Sequence, residues 1–303
     1  MKSVLKNFFL ATLALGIGAG TALANDAILK PFVLASKGAG SVSDKVTSAK
    51  NALLANGFTV VGSYSLNPDT TIIAVTNDEM KNTAAKSEHG GFGAAQRVAV
   101  TKVKDEVQVS YTNPVYMANG YRMSGDLSAT AAKMQAALGK VEEFGANGLS
   151  AAQLRKFHYA FGMEYFTEPS ILAEYPSHEE ALKAVEANLA AGKGGATKVY
   201  RVDVPGKKES VFGVAMKSSG GDKYMDDQYI MSVIDFKDVK SAAHLPYEML
   251  VTGNKVIALY ARFRIALDFP DLKMMGANSF MKIMESPEAI RKTLVTAAGG
   301  TEP

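Results

Sequence analysis

An α+β fold made of two related parts is what this sequence predicts, and three observations carry the prediction. Short runs in which apolar residues alternate with polar ones recur along the chain, bounded by Gly, Pro, Asn or Asp. Between them lie stretches with capping residues and apolar stripes at three- and four-residue spacing. The order of these segments occurs twice, once in residues 25–148 and again in residues 149–303.

The chain opens with an expected export signal over residues 1–24. Lys2 and Lys6 precede an apolar run at residues 8–20, and Ala22-Leu23-Ala24 fits an A-x-A cleavage site. Cleavage after Ala24 would place the protein in the periplasm, and no cysteine stands nearby to carry a lipid anchor. No later apolar run is long enough to span a bilayer.

In the first part, residues 43–56 read as a helix capped by Ser43, with Val46, Ala49, Leu53 and Leu54 as its stripe and Gly57 past its end. Residues 58–66 and 71–76 read as strands around Asn67-Pro68-Asp69. Asn77 caps a short helix over residues 78–87, and Gly90, Gly91 and Gly93 form a loop. Residues 97–101 and 106–111 form a hairpin that leads to Asn113-Pro114, and residues 128–138 form a helix ending at Gly139. The join falls in residues 145–148. Beyond it Ser150 and Gln153 make a capping box, with Leu149 and Leu154 as a hydrophobic staple.

The second part repeats the sequence of events. Residues 177–191 are a helix with Ser177 and Glu180 as a capping box, and residues 197–204 and 210–217 are strands. Residues 228–236 fit either period, and residues 238–244 suggest a short helix. The longest alternating run is residues 256–269, VIALYARFRIALDF, after the turn Thr252-Gly253-Asn254-Lys255. One face carries Ile257, Leu259, Ala261, Phe263, Ile265, Leu267 and Phe269; the other carries Tyr260, Arg262, Arg264 and Asp268. The reading is a long strand with a bend, since such a length exceeds ordinary strands of about six residues. Ser286-Pro287-Glu288 starts the last helix. Corresponding landmarks (Pro31 and Pro169, Gly57 and Gly192, Tyr111 and Tyr260, Pro114 and Pro270) are offset by 135 to 156 residues, which fits a duplication with loop insertions.

Composition narrows the function classes. The hydrophobic fraction of 47% and charged fraction of 21% call for a packed core. Without Lys2 and Lys6 the 33 basic residues become 31 against 30 acidic ones, a net charge of +1, so neither nucleic acid nor a charged membrane surface is an expected partner. With no cysteine there can be no disulfide, thiol nucleophile, thiolate metal site or C-x-x-C-H haem attachment. No P-loop, G-x-S-x-G or H-E-x-x-H occurs, and no cofactor is expected.

Candidate sites are few. Arg262 and Arg264, with Tyr260 beside them on one strand face, could hold a carboxylate, phosphate or sulfate; the competing reading is a solvated, salt-bridged face. His89 and His244, each just before a hairpin, could meet as a pseudo-symmetric pair; the competing reading is two ordinary helix-end histidines. His158 reads as a packing residue and His178 as exposed. Met274, Met275, Met281 and Met284 could bind Cu(I), although core packing is the favoured role for such residues. Asp222, Asp226 and Asp227 read as a solvated loop.

Residues Arg97-Val98-Ala99-Val100, Val107-Gln108-Val109-Ser110-Tyr111 and Asn113-Pro114, with Leu245-Pro246 and Val256-Ile257-Ala258 in the second part, resemble the family called domain of unknown function 302. Ala95-Gln96 stands where that family's pattern has Leu-Pro. The resemblance implies a compact α+β domain with an antiparallel sheet, often paired, and no settled activity. The expectation is a non-catalytic ligand-binding or accessory protein whose partner is a small ligand or another periplasmic protein. The pairing would be either a homodimer or a pseudo-dimer within one chain. The alternatives are an enzyme with a site near the second hairpin, or Cu(I) handling by the methionine loop.

Overall fold

The computed structural model describes residues 27–301, so the expected export signal lies outside the described residues. In chain order the first part contains β1 (Ile28–Leu29), β2 (Phe32–Gly38), α1 (Val42–Ala55), β3 (Thr59–Asn67), β4 (Thr70–Thr76), α2 (Asp78–Ala85), β5 (Gln96–Val103), β6 (Glu106–Thr112), α3 (Pro114–Gly120), α4 (Ser128–Leu138) and β7 (Glu142–Phe144). The second contains β8 (Leu149–Ser150), α5 (Ala151–Leu154), β9 (Ser170–Glu174), α6 (His178–Ala190), β10 (Ala196–Asp203), β11 (Glu209–Met216), α7 (Asp227–Ile234), β12 (Tyr247–Thr252), β13 (Lys255–Ala258), α8 (Ala261–Asp268) and α9 (Ser286–Ala298). The α+β class is as predicted. No helix among the described residues is long and apolar enough to cross a membrane.

Local chemistry sets most boundaries. The Asn77 side chain accepts from the Met80 N–H at 2.9 Å, and Ser177 accepts from Glu180 N–H at 3.1 Å. Both bonds of the Ser150/Gln153 capping box form. The cap of helix α1 lies two residues before the expected one: Ser41, not Ser43, accepts from the Asp44 N–H at 3.0 Å. The ambiguous stretch at residues 228–236 is helical, and of residues 238–244 only Ala242–His244 forms a 3₁₀ turn.

The strands order as β3-β4-β5-β6-β2-β7 in one sheet and β10-β11-β12-β13-β9 in the other, with every pairing antiparallel. Position for position, the second order repeats the first five strands of the first. Beyond the expected join, Leu149 pairs with Leu29 and Ser150 with Ile28, and α5 packs on α3. The first turn of the second part is therefore tied to the first.

Both faces of the first sheet are covered. In β2, Val33 and Ala35 join Ala49 and Leu53 of α1 in one core, while Phe32 and Leu34 enter a second core with Val185 and Leu189 of α6. Each core takes residues from both parts: Val202, Val211 and Leu250 complete the first, Ile72 and Ala99 the second. The parts also exchange connecting segments. The 3₁₀ turn Gly90–Gly93 packs on β11 and β12, and its counterpart Ala242–His244 packs on β4, β5 and β6.

Elements in equivalent positions meet each other. Edge strands β3 and β10 cross at Gly62, where a Cβ would lie 2.0 Å from the Val199 carbonyl oxygen, so only glycine fits. Helices α3 and α8 touch through Tyr116 Oη, which donates to the Leu267 carbonyl at 2.7 Å.

The long strand expected over residues 256–269 does not form. Strand β13 ends at Ala258, and residues Ala261–Asp268 are the helix α8. Its residues Phe263 and Leu267 belong to one core, and Ala261 and Ile265 to the other. A helix buried on several sides loses the single apolar stripe that identifies a surface helix. By position after its hairpin, α8 answers to α3, so Pro114 has no counterpart at Pro270.

Candidate functional site

The helical turn at α8 decides where the predicted site residues go. Residues two apart on a helix point about 200° apart, so Arg262 and Arg264 do not share a face. Arg262 points outward and holds Glu164 with two bonds, Nε to Oε2 at 3.0 Å and Nη2 to Oε1 at 2.5 Å. Tyr260, the residue before the helix, lies under it, with 5.5 Å between the guanidinium carbon and the ring centre. Arg264 points inward and is sealed. The double guanidinium face expected from a strand is absent.

Arg264 belongs to a buried cluster at the contact between the parts. Its Nη1 donates to the Pro246 carbonyl at 2.9 Å and its Nη2 to the His244 carbonyl at 2.6 Å. Glu248 on β12 sits between two guanidinium groups, 3.2 Å from Arg97 Nη1 and 3.3 Å from Arg264 Nη1, and it accepts from Tyr200 Oη at 2.5 Å. Arg97 Nε reaches across to the Ala243 carbonyl at 3.1 Å. Arg97 and Glu248 are each the second residue of equivalent strands, β5 and β12.

His244 completes the cluster. Its Nδ1 lies 2.6 Å from Asp268 Oδ2 and its Nε2 3.1 Å from Tyr247 Oη. Burial lowers the imidazole pKa, against the pull of Asp268. Burial alone would raise the Asp268 carboxyl, but the His244 hydrogen bond and the charges of Arg264 and Arg97 hold it below the usual range. The assignment consistent with both is a neutral imidazole that donates from Nδ1 to an ionised Asp268 and accepts at Nε2 from the Tyr247 hydroxyl. The ring is fully enclosed, with Tyr247 and Phe269 packed edge-on to it. His89 packs against Phe166 instead, so the two histidines do not form a pair. His158 stacks on Tyr165 at 4.4 Å, and the half-buried His178 places Nδ1 2.7 Å from the Gly253 carbonyl.

A second site lies where the edge strands cross. A cleft of about 240 Å³ is lined by Tyr64 and Leu66 of β3, Lys198 of β10, Met216 of β11, and Asp226 and Asp227 at the start of α7. The solvated loop expected for the three aspartates is incorrect for Asp227, which is 1% exposed. Asp226 caps α7 by accepting from the Tyr229 N–H at 2.9 Å, which turns the next side chain inward. Asp227 Oδ2 accepts from the Met216 N–H at 2.9 Å and from Tyr64 Oη at 3.4 Å, while Oδ1 has no hydrogen-bond partner among the described residues. Burial raises its pKa to about 8, with the Asp226 charge adding to the rise and the Met216 and Tyr64 bonds opposing it. The sequence did carry a signal for this: an Asp-Asp pair in front of Ile230, Met231 and Ile234 is a helix start.

The third feature is the segment between α8 and α9. Met274, Met275, Met281 and Met284 are 41%, 78%, 48% and 55% exposed, so the packing role favoured for them does not hold. Beside them a cleft of about 20 Å³ is lined by Tyr159, Met163, Ile265, Phe269, Met274 and Phe280, with Arg262 at its rim, and Phe161 stands fully exposed. Among the described residues no group of three or more His, Asp or Glu side chains is placed to hold a metal ion.

Comparison with known protein families, with curated proteins and with solved structures finds no match to this chain.

Proposed function

We propose that this chain is an exported, non-catalytic binding or accessory protein that takes a small polar ligand in the cleft between its two parts. The observation that carries this reading is Asp227 Oδ1, a buried carboxyl oxygen without a hydrogen-bond partner among the described residues, in a cleft that both parts line. Burying such an atom unpaired costs about 1–3 kcal/mol, and a ligand with a hydrogen-bonding head would offset that cost. The cleft is small, which fits a compact molecule rather than a peptide. Against the catalytic alternative stands the enclosure of His244, Arg264 and Asp268, which seals these three groups from a substrate.

The repeated strand order, together with the contacts β3 to β10, Arg97 to Glu248 and α3 to α8, supports a duplicated domain folded as a pseudo-dimer. A ligand site at the crossing of equivalent edge strands is then a property of the pair, not of either part. The test is native mass spectrometry of the gently purified protein beside its Asp227→Asn variant. A reproducible small-molecule adduct that the substitution abolishes is the expected result. A bare polypeptide mass for the unaltered protein, or an adduct indifferent to the substitution, overturns the proposal.

A further inference from the structure

We infer that the segment between α8 and α9 is a soft-metal site that binds one Cu(I) ion through the thioether sulfurs of Met274, Met281 and Met284. The inference is independent of the cleft at Asp227. Two backbone bonds bring the first two positions together: Phe280 N–H donates to the Lys273 carbonyl at 2.9 Å, and Met281 N–H donates to the Met274 carbonyl at 3.1 Å. Met274 and Met281 are thereby adjacent although seven residues apart. Met281 lies within the 3₁₀ turn Phe280–Ile283, and Met284 is the residue that caps it. Side chains three apart eclipse one another in a 3₁₀ helix, so Met284 stands over Met281.

The chemistry of this cluster is selective. Thioethers are soft donors that suit Cu(I) and offer little to Zn(II) or Mg(II). No cysteine exists in the chain, and among the described residues no trio of His, Asp or Glu side chains could compete for a divalent ion. Asp271 and Glu285 balance Lys273 and Lys282 along the segment, so the surroundings neither attract nor repel a cation strongly. The ion would arrive and leave as Cu(I), with no electron transfer. Met163 lines the neighbouring cleft together with Met274 and is placed on the same side of the molecule. The exposure of these side chains, costly for unbranched apolar groups in water, leaves the sulfurs accessible to an incoming ion.

The experiment is anaerobic titration of the whole protein with Cu(I) held by a chromophoric chelator. The protein is expected to withdraw one equivalent, and the triple variant Met274→Leu, Met281→Leu, Met284→Leu to bind at least about tenfold more weakly. Leucine keeps the apolar volume at these exposed positions, and a matching thermal unfolding curve confirms that the variant is folded. Ag(I), a soft ion that does not cycle its oxidation state, should bind in the same way, and Zn(II) should not. Failure to withdraw Cu(I), an unchanged affinity in the triple variant, or equal binding of Zn(II) overturns the inference. The first of these outcomes would leave the exposed methionines as an apolar contact surface.

Discussion

Glu248 lies between Arg97 and Arg264 with all three side chains about 1% exposed. Removing one partner of a buried ion network leaves the others charged and unpaired, which costs about 3–5 kcal/mol. Glu248→Ala is expected to lose that much in urea unfolding, and a loss below about 1 kcal/mol would show that the guanidinium groups find other partners. Asp227 sets a pH dependence of its own. Its folded pKa of about 8 lies above the value of ~3.9 for an unfolded aspartate. Between those values the folded chain binds one more proton than the unfolded chain, so stability falls as pH rises, by at most about 1.4 kcal/mol per pH unit. Asp235, raised to about 6 by burial, adds to the fall only in its lower range. His244, whose pKa burial lowers, acts oppositely, and only below the unfolded histidine value of ~6.5. The interval from about pH 6.5 to 8 therefore isolates Asp227. Urea unfolding across it should fall with pH in the unaltered protein and run flatter in Asp227→Asn; equal slopes would refute the raised pKa.

At the scale of the element, α8 separates two arginines that a strand would have kept together. Arg262 holds Glu164 at the surface, with side-chain exposures of 31% and 24%, and such pairs contribute about 0.2–1 kcal/mol. Arg264 is enclosed and donates to the His244 and Pro246 carbonyls, just ahead of β12. Arg262→Ala should therefore cost under about 1 kcal/mol and Arg264→Ala at least about 3 kcal/mol; a similar cost for both would contradict the helix. The alternation of residues 256–269 hid this helix because both of its apolar sides are buried, one in each core. The spacing of Arg264 and Asp268, four residues apart and 3.9 Å between charged atoms, was the helical signal available in the sequence. By contrast, α2, α4, α6 and α9 each face one core, and an end signal of each was legible: Asn77, Gly139, Ser177 and Pro287.

At the scale of the whole molecule, neither part has a core of its own. Each core draws residues from both, and Gly90–Gly93 and Ala242–His244 pack on the opposite sheet. The chain is expected to unfold in one calorimetric transition, with calorimetric and van't Hoff enthalpies equal. Two resolved transitions would mean that the parts are separately stable. Gly62→Ala should lower the single Tm without splitting it, because the added Cβ meets the Val199 backbone oxygen, which cannot rotate away.

The sequence by itself determined the α+β class, the hairpins, the main helix caps and the twofold recurrence of elements, since each depends on neighbours within a few residues along the chain. Only the tertiary structure decided the rest. Whether Arg264 faces inward depends on how residues 244–268 fold on one another. Whether Arg97 meets a carboxylate, and whether Asp227 is solvated or sealed, depend on which surfaces the two parts bring together. Those contacts join residues more than a hundred positions apart, such as Arg97 and Glu248 or Tyr64 and Asp227. Burial, which sets both their energies and their protonation, arises only when the second sheet closes on the first.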